Sequence, residues 1–334
     1  MEINFTQKIC LILIGSAFQR CRISENLCRL IVSLKCSTDS NRPIVQISIS
    51  DTGVGSRLEE FQNMDCTRNG DLAEKWDGVL NIKTTSEVYG YCLNFKEKVP
   101  ARRLTKLPPT SKKDLKFSGT ETSLSTYESF DVLCAGIIQF LHKMHMLKIP
   151  NVAVELMVDR TTNTGSKLET LFQANAGMHL PFSISNIERL VAGLEGHVLK
   201  HGNALDKECQ SCLSSREHFK LGMGIVPNSE GTRNNGQIIE AVIIITELPE
   251  PPGPSCLRVS STEVFYFQEF LPSTIPQSLV NAVTSVNWKS YGLSLKSSIV
   301  GEDGQLVLEW ESLPPYSHID IAIHCYHDQY PIIP

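Results

Sequence analysis

The stretch IVQISISDTGVG, residues 44–55, joins a predicted strand to a turn of unusual composition. Apolar and polar residues alternate over 44–50, which predicts a half-buried strand. The turn that follows has the form Asp-x-Gly-x-Gly. Its glycines, Gly53 and Gly55, allow positive φ and close approach of the backbone to a ligand, and the Asp51 carboxylate can accept a hydrogen bond from an adenine amino group. The stretch therefore indicates either a nucleotide-binding turn or a simple turn that ends a strand.

Length and composition set the broad class. The chain has 334 residues, of which 41% are hydrophobic and 20% charged, as expected for a soluble globular protein of two or three domains. The net charge of -5 argues against nucleic-acid binding through the overall field, although a local basic patch would still serve. Eleven cysteines, an odd number without framework spacing, favour a reducing compartment, cytoplasm or nucleus.

No apolar segment reaches the ~20 residues of a membrane-spanning helix. The short apolar run at 9–14 predicts a buried helix or strand at the edge of the first domain, with a cleaved signal peptide as the alternative.

Periodicity predicts an α+β chain. The predicted helices lie at 24–36, 130–147, 184–198 and 279–286. The further predicted strands lie at 79–84, 89–96, 119–125, 152–158, 238–246, 264–267, 305–310 and 319–325. The region 176–225 is expected to be mostly helical, and the β-branched run at 238–246 predicts a strand buried on both faces.

The order of the first elements carries a family resemblance. The helix predicted at 24–36, the strand at 44–50 and the turn resemble the ATPase domain of the topoisomerase VI B subunit, which has a Bergerat-type (GHKL) fold. Residues 117–121, with Gly119 and Thr120, look like the later Gly-Thr box of that domain.

Two later stretches add to this resemblance. Residues 212–215 resemble a reduced form of the family's helix-two-turns-helix insert, and residues 282–293 look very like the Trp-Lys-x-Tyr-Gly-Leu stretch of its transducer domain. The transducer motif comprises Trp288, Lys289, Tyr291 and Gly292. An alternative reading has Trp288 and Tyr291 packed in a core and Gly292 capping a helix.

The resemblance implies three parts. These are a degenerate GHKL ATPase-like domain at 1–175, a helical linker with the reduced insert at 176–235, and a transducer-like domain at 236–334. Relative to the family the chain starts late, and it stops at Pro334 before a long docking helix, so we expect a shortened form or an incomplete gene model.

Several positions depart from the ATPase pattern. The family has a glutamate as general base and, four residues later, an asparagine that holds Mg²⁺. Cys28 and Val32 align with these two positions, and Gln329 aligns with the lysine that senses the γ-phosphate. The expected glycine-rich lid has only Gly70 and Gly78. We therefore expect neither ATP nor Mg²⁺ as a cofactor and no ATPase activity.

In that reading the nucleotide-binding turn is vestigial and structural. It comprises Asp51, Gly53, Gly55, Gly119 and Thr120. Asp51→Asn is then expected to disturb local packing more than function.

A chain that keeps the ATPase-like fold but lacks the ATPase residues resembles the plant-type topoisomerase VI B-like proteins of meiosis. This resemblance implies a non-catalytic nuclear subunit that assembles with topoisomerase VI A-like transesterase subunits as a homodimer or heterotetramer. It would contact DNA through the complex and would not contact membrane. The alternatives are an ATP-dependent B subunit of an active topoisomerase VI and a general protein-interaction module.

Two further clusters of side chains each allow a functional and a purely structural interpretation. A Pro-containing loop is rich in cations and is either a DNA-backbone contact or a solvated loop. These cations are Lys96, Lys98, Arg102, Arg103, Lys106, Lys112, Lys113 and Lys116. His197, His201, Cys209 and Cys212 have spacings compatible with zinc, but a single Cys-x2-Cys is weak evidence and we predict no metal site.

Overall fold

The computed structural model has two compact units. The amino-terminal unit comprises Ile3–His142 and Ile149–Phe182, and the carboxyl-terminal unit comprises Met1–Glu2, Lys143–Lys148 and Ser183–Pro334. The residues that the structure describes are 5–24, 26–37, 43–62, 64, 76–86, 90–95, 104–107, 119–162, 165–174, 184–201, 217, 219–227, 236–247, 261–301, 304–313 and 317–327.

A mixed sheet forms the amino-terminal unit, and its described part has eight strands in the order β5-β4-β3-β6-β2-β1-β7-β8. β1 pairs with β2 antiparallel and with β7 parallel. The strands are β1 (Cys28–Ser37), β2 (Ile44–Asp51), β3 (Trp76–Thr84), β4 (Tyr91–Asn94), β5 (Leu104–Lys106), β6 (Thr120–Thr126), β7 (Val152–Thr162) and β8 (Gly165–Ala174). The helices are α1 (Phe5–Arg22), α2 (Leu58–Gln62) and α3 (Phe130–His145), whose last residues from Lys143 belong to the carboxyl-terminal unit.

Helix α1 supplies much of the core beside β1 and β2. Its apolar side chains recur every three or four residues, and Ile9, Leu13 and Ala17 are buried. The run at 9–14 is thus part of an 18-residue helix, longer than the buried element predicted there.

The helix predicted at 24–36 is wrong, because this segment is strand β1. Leu27, Leu30, Ile31 and Leu34 fit a helical period, but Cys28, Leu30, Val32 and Leu34 also fit a period of two. The second set is the one that is buried. Ser24 and Asn26, at the start of the predicted helix, lie in the connection between α1 and β1.

A second sheet forms the carboxyl-terminal unit, and among its described strands the order is β13-β14-β11-β15-β10-β9, with β12 paired to β11. The strands are β9 (Phe219–Pro227), β10 (Gln237–Glu247), β11 (Ser261–Gln268), β12 (Leu271–Pro272), β13 (Ser294–Val300), β14 (Leu306–Ser312) and β15 (Ser317–His327). Helix α4 (Asn186–His201) contacts β10 and β15, and α5 (Gln277–Thr284) contributes Val280 to the core that also holds Ile321.

The expectation that 176–235 is a helical linker is wrong for its described part. That part contains helix α4 but also strand β9, and both lie within the carboxyl-terminal unit. The β-branched pair Ile225-Val226 favours an extended backbone, and nine residues of β9 pair with β10 in continuous register. The candidate insert at 212–215 lies outside the described residues.

Most of the other predicted elements are confirmed, with ends that differ by a few residues. The α+β class is confirmed as well. The strand predicted at 238–246 is confirmed as β10, but the prediction that both of its faces are buried is only partly correct. Val242 and Ile244 on one face are inaccessible, whereas Ile239 and Ile243 on the other are half-buried. Among the described helices, none combines the length and apolarity needed to cross a membrane.

Candidate functional site

The Asp-x-Gly-x-Gly turn lies at the end of a central strand. Asp51 is the last residue of β2 and pairs in register with Leu30 of β1 and Thr120 of β6. The following residue is fixed to β1, because Thr52 N–H donates to the Arg29 carbonyl and its hydroxyl accepts from Arg29 N–H. The structure thus brings together the predicted residues of the turn and of the Gly-Thr box, although the two sequences are far apart.

The guanidinium of Arg20, on α1, binds the carboxylate of Asp51. Its Nε and Nη2 donate hydrogen bonds of 3.0 and 2.8 Å to the same oxygen, Oδ2. The Asp51 side chain is fully buried, and that of Arg20 is 8% exposed. The other oxygen, Oδ1, accepts from Gly53 N–H at 3.1 Å. Both oxygens of the carboxylate on which the adenine hypothesis rests are therefore hydrogen-bonded to the protein itself.

A second carboxylate completes this buried cluster. Nη1 of Arg20 donates to Glu60 Oε1 of α2 at 3.0 Å, and the Glu60 side chain is 38% exposed. Arg20 thus links α1, the end of β2 and α2. We call these three residues, Arg20, Asp51 and Glu60, the arginine clamp.

Burial raises the pKa of Asp51 above its ordinary value, because it removes the carboxylate from water. The Arg20 guanidinium and the backbone N–H groups of Gly53 and Thr120 oppose this rise. The charged form is consequently stabilised by fixed protein partners and not by solvent. Without Arg20, the Asp51 carboxyl would still be buried away from water, and only the backbone N–H groups would stabilise its charged form.

The glycines of the turn are required by neighbouring protein atoms. A Cβ at Gly53 would lie 2.6 Å from the carbonyl carbon and oxygen of Arg20, so the turn packs directly on the backbone of α1. Gly119 has φ of +118° and would overlap the Asp51 carbonyl oxygen if it carried a side chain. A Cβ at Gly55 would overlap the Ser86 hydroxyl. Close approach of chain to chain accounts for these glycines without a ligand.

Buried hydroxyl groups connect the turn to the neighbouring strands β3 and β6. The Thr120 hydroxyl accepts from Ser56 N–H and donates to Ser56 Oγ, both at 3.0 Å. The Thr84 hydroxyl donates to the Ser56 carbonyl at 3.2 Å. All three side chains are buried. Thr120 therefore has a structural partner set that fixes the turn to β3 and β6.

Cys28 and Val32, which the sequence alignment placed at the catalytic glutamate and asparagine, lie on strand β1. The alignment of these two residues with a helix is wrong, for the reason given above for 24–36. Helix α1 is the helix that precedes the turn, and its sequence FTQKICLILIGSAFQRCR contains no glutamate, aspartate or asparagine. The glutamate and the asparagine of the family's pattern therefore do not occur in α1.

The candidate transducer motif has a mixed structural role. Trp288 is buried, donates from Nε1 to the Val283 carbonyl at 3.0 Å and packs edge-on against Trp310. Gly292, with φ of +74°, ends the 3-10 turn Trp288–Tyr291. Tyr291 is 60% exposed, so the alternative in which it packs in the core is wrong. Lys289 is exposed.

Several candidate residues lie outside the described residues. They are Gln329, Cys209, Cys212, Lys96, Lys98, Arg102, Arg103, Lys112, Lys113 and Lys116. Lys106 is described and is exposed on β5. His197 packs edge-on against Phe265. Within the described ranges, no three His, Cys, Asp or Glu side chains are placed to hold a metal ion.

Sequence reasoning missed Arg20 and Glu60. A signal for Arg20 was present, because it follows Leu13 and Ala17 at helical spacing in an otherwise apolar stripe. Arginine is seldom buried without a partner, so its place on a buried stripe predicts an acidic partner. Glu60 gives no such signal in the sequence.

Comparison with known proteins indicates a protein family for the carboxyl-terminal part of the chain. Residues 187–334, less than half of the chain, match the family model of the MTOPVIB middle domain. The carboxyl-terminal part of the chain is thereby similar to topoisomerase VI B-like proteins. Within that class the match is to the MTOPVIB kind, and it confirms the resemblance inferred from sequence. No curated protein matches the chain.

Solved structures are similar at low identity. The 43K ATPase domain of Thermus thermophilus gyrase B is 10% identical, with a TM-score of 0.38 over 96% of this chain and 74% of that one. The topoisomerase IV ATP-binding domain of Francisella tularensis is 9% identical, with a TM-score of 0.39 over 97% and 78%. The Myxococcus xanthus gyrase B subunit is 9% identical, with a TM-score of 0.40 over 97% and 80%. At these scores we base no functional conclusion on the likeness.

Proposed function

We propose that this chain is a non-catalytic B-like subunit that assembles with topoisomerase VI A-like transesterase subunits to form the meiotic DNA double-strand breaks that initiate recombination. The family match over residues 187–334 supports the B-like class. The observation that carries the non-catalytic part is the buried pair of Arg20 and Asp51.

The arginine clamp competes directly with adenine. An adenine amino group would have to take a place at Asp51 that the Arg20 guanidinium fills with two hydrogen bonds. Separating a buried ion pair costs about 3–5 kcal/mol. A single new hydrogen bond to a charged group returns only about 1.5–3 kcal/mol. Nucleotide binding through Asp51 is therefore unfavourable unless other contacts add a large surplus.

The residues of helix α1 also argue against ATP hydrolysis. Helix α1 has no carboxylate to activate water and no asparagine to hold Mg²⁺. The site residues present here do not fit an ATP–Mg²⁺ complex of the family's kind. We propose accordingly that Asp51, Gly53, Gly55, Gly119 and Thr120 are retained as a structural turn, and that the ATP-dependent alternative does not apply.

The proposed partners and place follow from the family resemblance. The A-like subunits would perform the strand cleavage, and this chain would position them as part of a nuclear complex. DNA would be reached through the complex.

Co-expression of the full chain with A-like subunits tests the proposal. We expect co-purification without nucleotide, in an amount that added ATP does not change, and ATP turnover no higher than that of the Asp51→Asn variant of the same complex. ATP-dependent assembly, or turnover that Asp51→Asn abolishes, would restore the ATP-dependent alternative. Failure to bind any A-like subunit would favour a general interaction module.

A further inference from the structure

Strand β9 lies at the edge of the second sheet. Among the described strands it pairs with β10 on one side, and no described strand follows it on the other. An edge strand carries a row of backbone N–H and C=O groups that can pair with another strand. The register between β9 and β10 runs over nine residues from Phe219 to Pro227 without a bulge.

Three apolar side chains on β9 are exposed. Leu221, Met223 and Ile225 are 42, 61 and 53% exposed and, at spacings of two, point to one face of the sheet. In the neighbouring strand, Ile244 and Val242 stand opposite the first two and are fully buried. Burial on this face of the sheet therefore extends to β10 but not to β9. The apolar row formed by Leu221, Met223 and Ile225 is left exposed.

The usual protection of an edge is weak here. Natural edge strands carry charges, prolines or bulges that prevent pairing. Between Lys220 and Pro227 the sequence Leu-Gly-Met-Gly-Ile-Val has no charge. The charge of Lys220 is matched by Glu247, whose carboxylate lies 2.6 Å from its Nζ.

The strand is self-complementary about its middle residue. Antiparallel pairing of two copies centred on Met223 places Leu221 opposite Ile225 and Gly222 opposite Gly224. Lys220 then meets Val226, so no like charges face each other. A two-fold axis relates two identical strands in this antiparallel way, which is the symmetry of most homodimers.

We propose that β9 pairs with β9 of a second copy of this chain, about a two-fold axis at Met223, and that this pairing joins the two sheets and places the two apolar rows in cross-strand contact. The second copy is favoured over a different protein by the match of the strand with its own reversed sequence. The proposal does not depend on the A-like partners, because β9 is argued from this chain alone.

Sedimentation velocity across the micromolar range tests the pairing with the full chain. We expect a concentration-dependent dimer, and we expect Met223→Asp to weaken it by about tenfold or more, because it sets two like charges opposite each other at the axis. Ile299→Asp is the matched control, since Ile299 is 50% exposed on β13 at the opposite edge of the sheet. Met223 is largely exposed, and circular dichroism checks that both variants keep the fold.

Hydrogen exchange provides the second readout. Amides of residues 219–227 should gain protection as the concentration rises, whereas those of residues 294–300 should not. A wild-type monomer at every concentration, or a dimer that Met223→Asp leaves unchanged, would overturn the proposal. So would protection of β9 that arises only when an A-like subunit is added. Binding of A-like subunits, measured in parallel, reports on the proposed function separately.

Discussion

At the scale of single residues, the central feature is that the Arg20 guanidinium donates two hydrogen bonds to the carboxylate of Asp51, the first residue of the Asp-x-Gly-x-Gly turn. The guanidinium and the carboxylate are both buried, and each also holds another part of the site: Arg20 bonds Glu60, and Asp51 bonds Gly53 N–H. A buried charge pair is costly to separate, so the turn is held in one arrangement.

Arg20→Ala should destabilise the chain by about 3–5 kcal/mol, because it leaves Asp51 as a buried carboxyl without its cationic partner. Urea denaturation measures the change in the free energy of unfolding. Arg160→Ala is the matched control, since Arg160 pairs with Asp131 at 3.2 Å but both side chains are largely exposed. That control should change stability by about 1 kcal/mol or less. Equal effects of the two variants would contradict a buried, stabilising clamp.

Coupling within the clamp gives a second residue-scale prediction. Once Arg20 is alanine, Asp51→Asn should cost much less than it does in the wild-type chain, because it then removes a charge that has lost its partner. A double-mutant cycle should give a coupling free energy of about 1–3 kcal/mol between the two positions. Additive effects would mean that the hydrogen bonds at 2.8 and 3.0 Å contribute little.

At the scale of elements, helix α4 packs directly on the backbone of the segment Lys143–Lys148, which belongs to the same unit. A Cβ at Gly193 would overlap the Met146 carbonyl oxygen, whereas a Cβ at Gly196, one turn along, would meet nothing within 4 Å. The first glycine is needed for contact, and the second is merely a poor helix former.

Gly193→Ala and Gly196→Ala should therefore have opposite effects. The first should destabilise by about 1–3 kcal/mol, because helix and backbone must move apart. The second should stabilise by up to about 1 kcal/mol through helix propensity alone. Urea denaturation of both variants measures the pair. A stabilising Gly193→Ala would show that α4 does not lie against residue 146.

At the scale of the whole molecule, the family match and the compact unit do not coincide. The match begins at residue 187, but the carboxyl-terminal unit also includes Lys143–Lys148. Within that segment Met146 and Leu147 are buried, and Lys143 Nζ lies 2.7 Å from Glu263 Oε1.

A fragment that begins at Ser183 should consequently be less stable than the same unit in the full chain. Two buried apolar side chains at about 1.5–3 kcal/mol each, and one ion pair, would be missing. Trp288 and Trp310 lie in this unit, and Trp76 lies in the other. Tryptophan fluorescence during urea unfolding of a full chain with Trp76→Phe therefore reports on the carboxyl-terminal unit. An unchanged unfolding midpoint would show that the segment contributes nothing to the unit.

The sequence predicts most strands correctly because their alternation is one-sided and bounded by turn residues. It fails at 24–36, where helical and extended periods coincide, and at 219–227, where Gly222 and Gly224 stand between the apolar residues and weaken the strand signal. The turn at Asp51 is predictable from its glycines. The clamp is not, because the partners of Asp51 lie 31 residues before it and Glu60 carries no local signal.

The most direct test of the vestigial turn is calorimetric titration of the purified full chain with ATP and Mg²⁺. With Arg20 fixed on Asp51, we predict no saturable heat for the wild type and the same trace for Asp51→Asn. Saturable one-to-one binding with micromolar affinity, lost in Asp51→Asn, would contradict the account and show that Asp51 still holds a nucleotide.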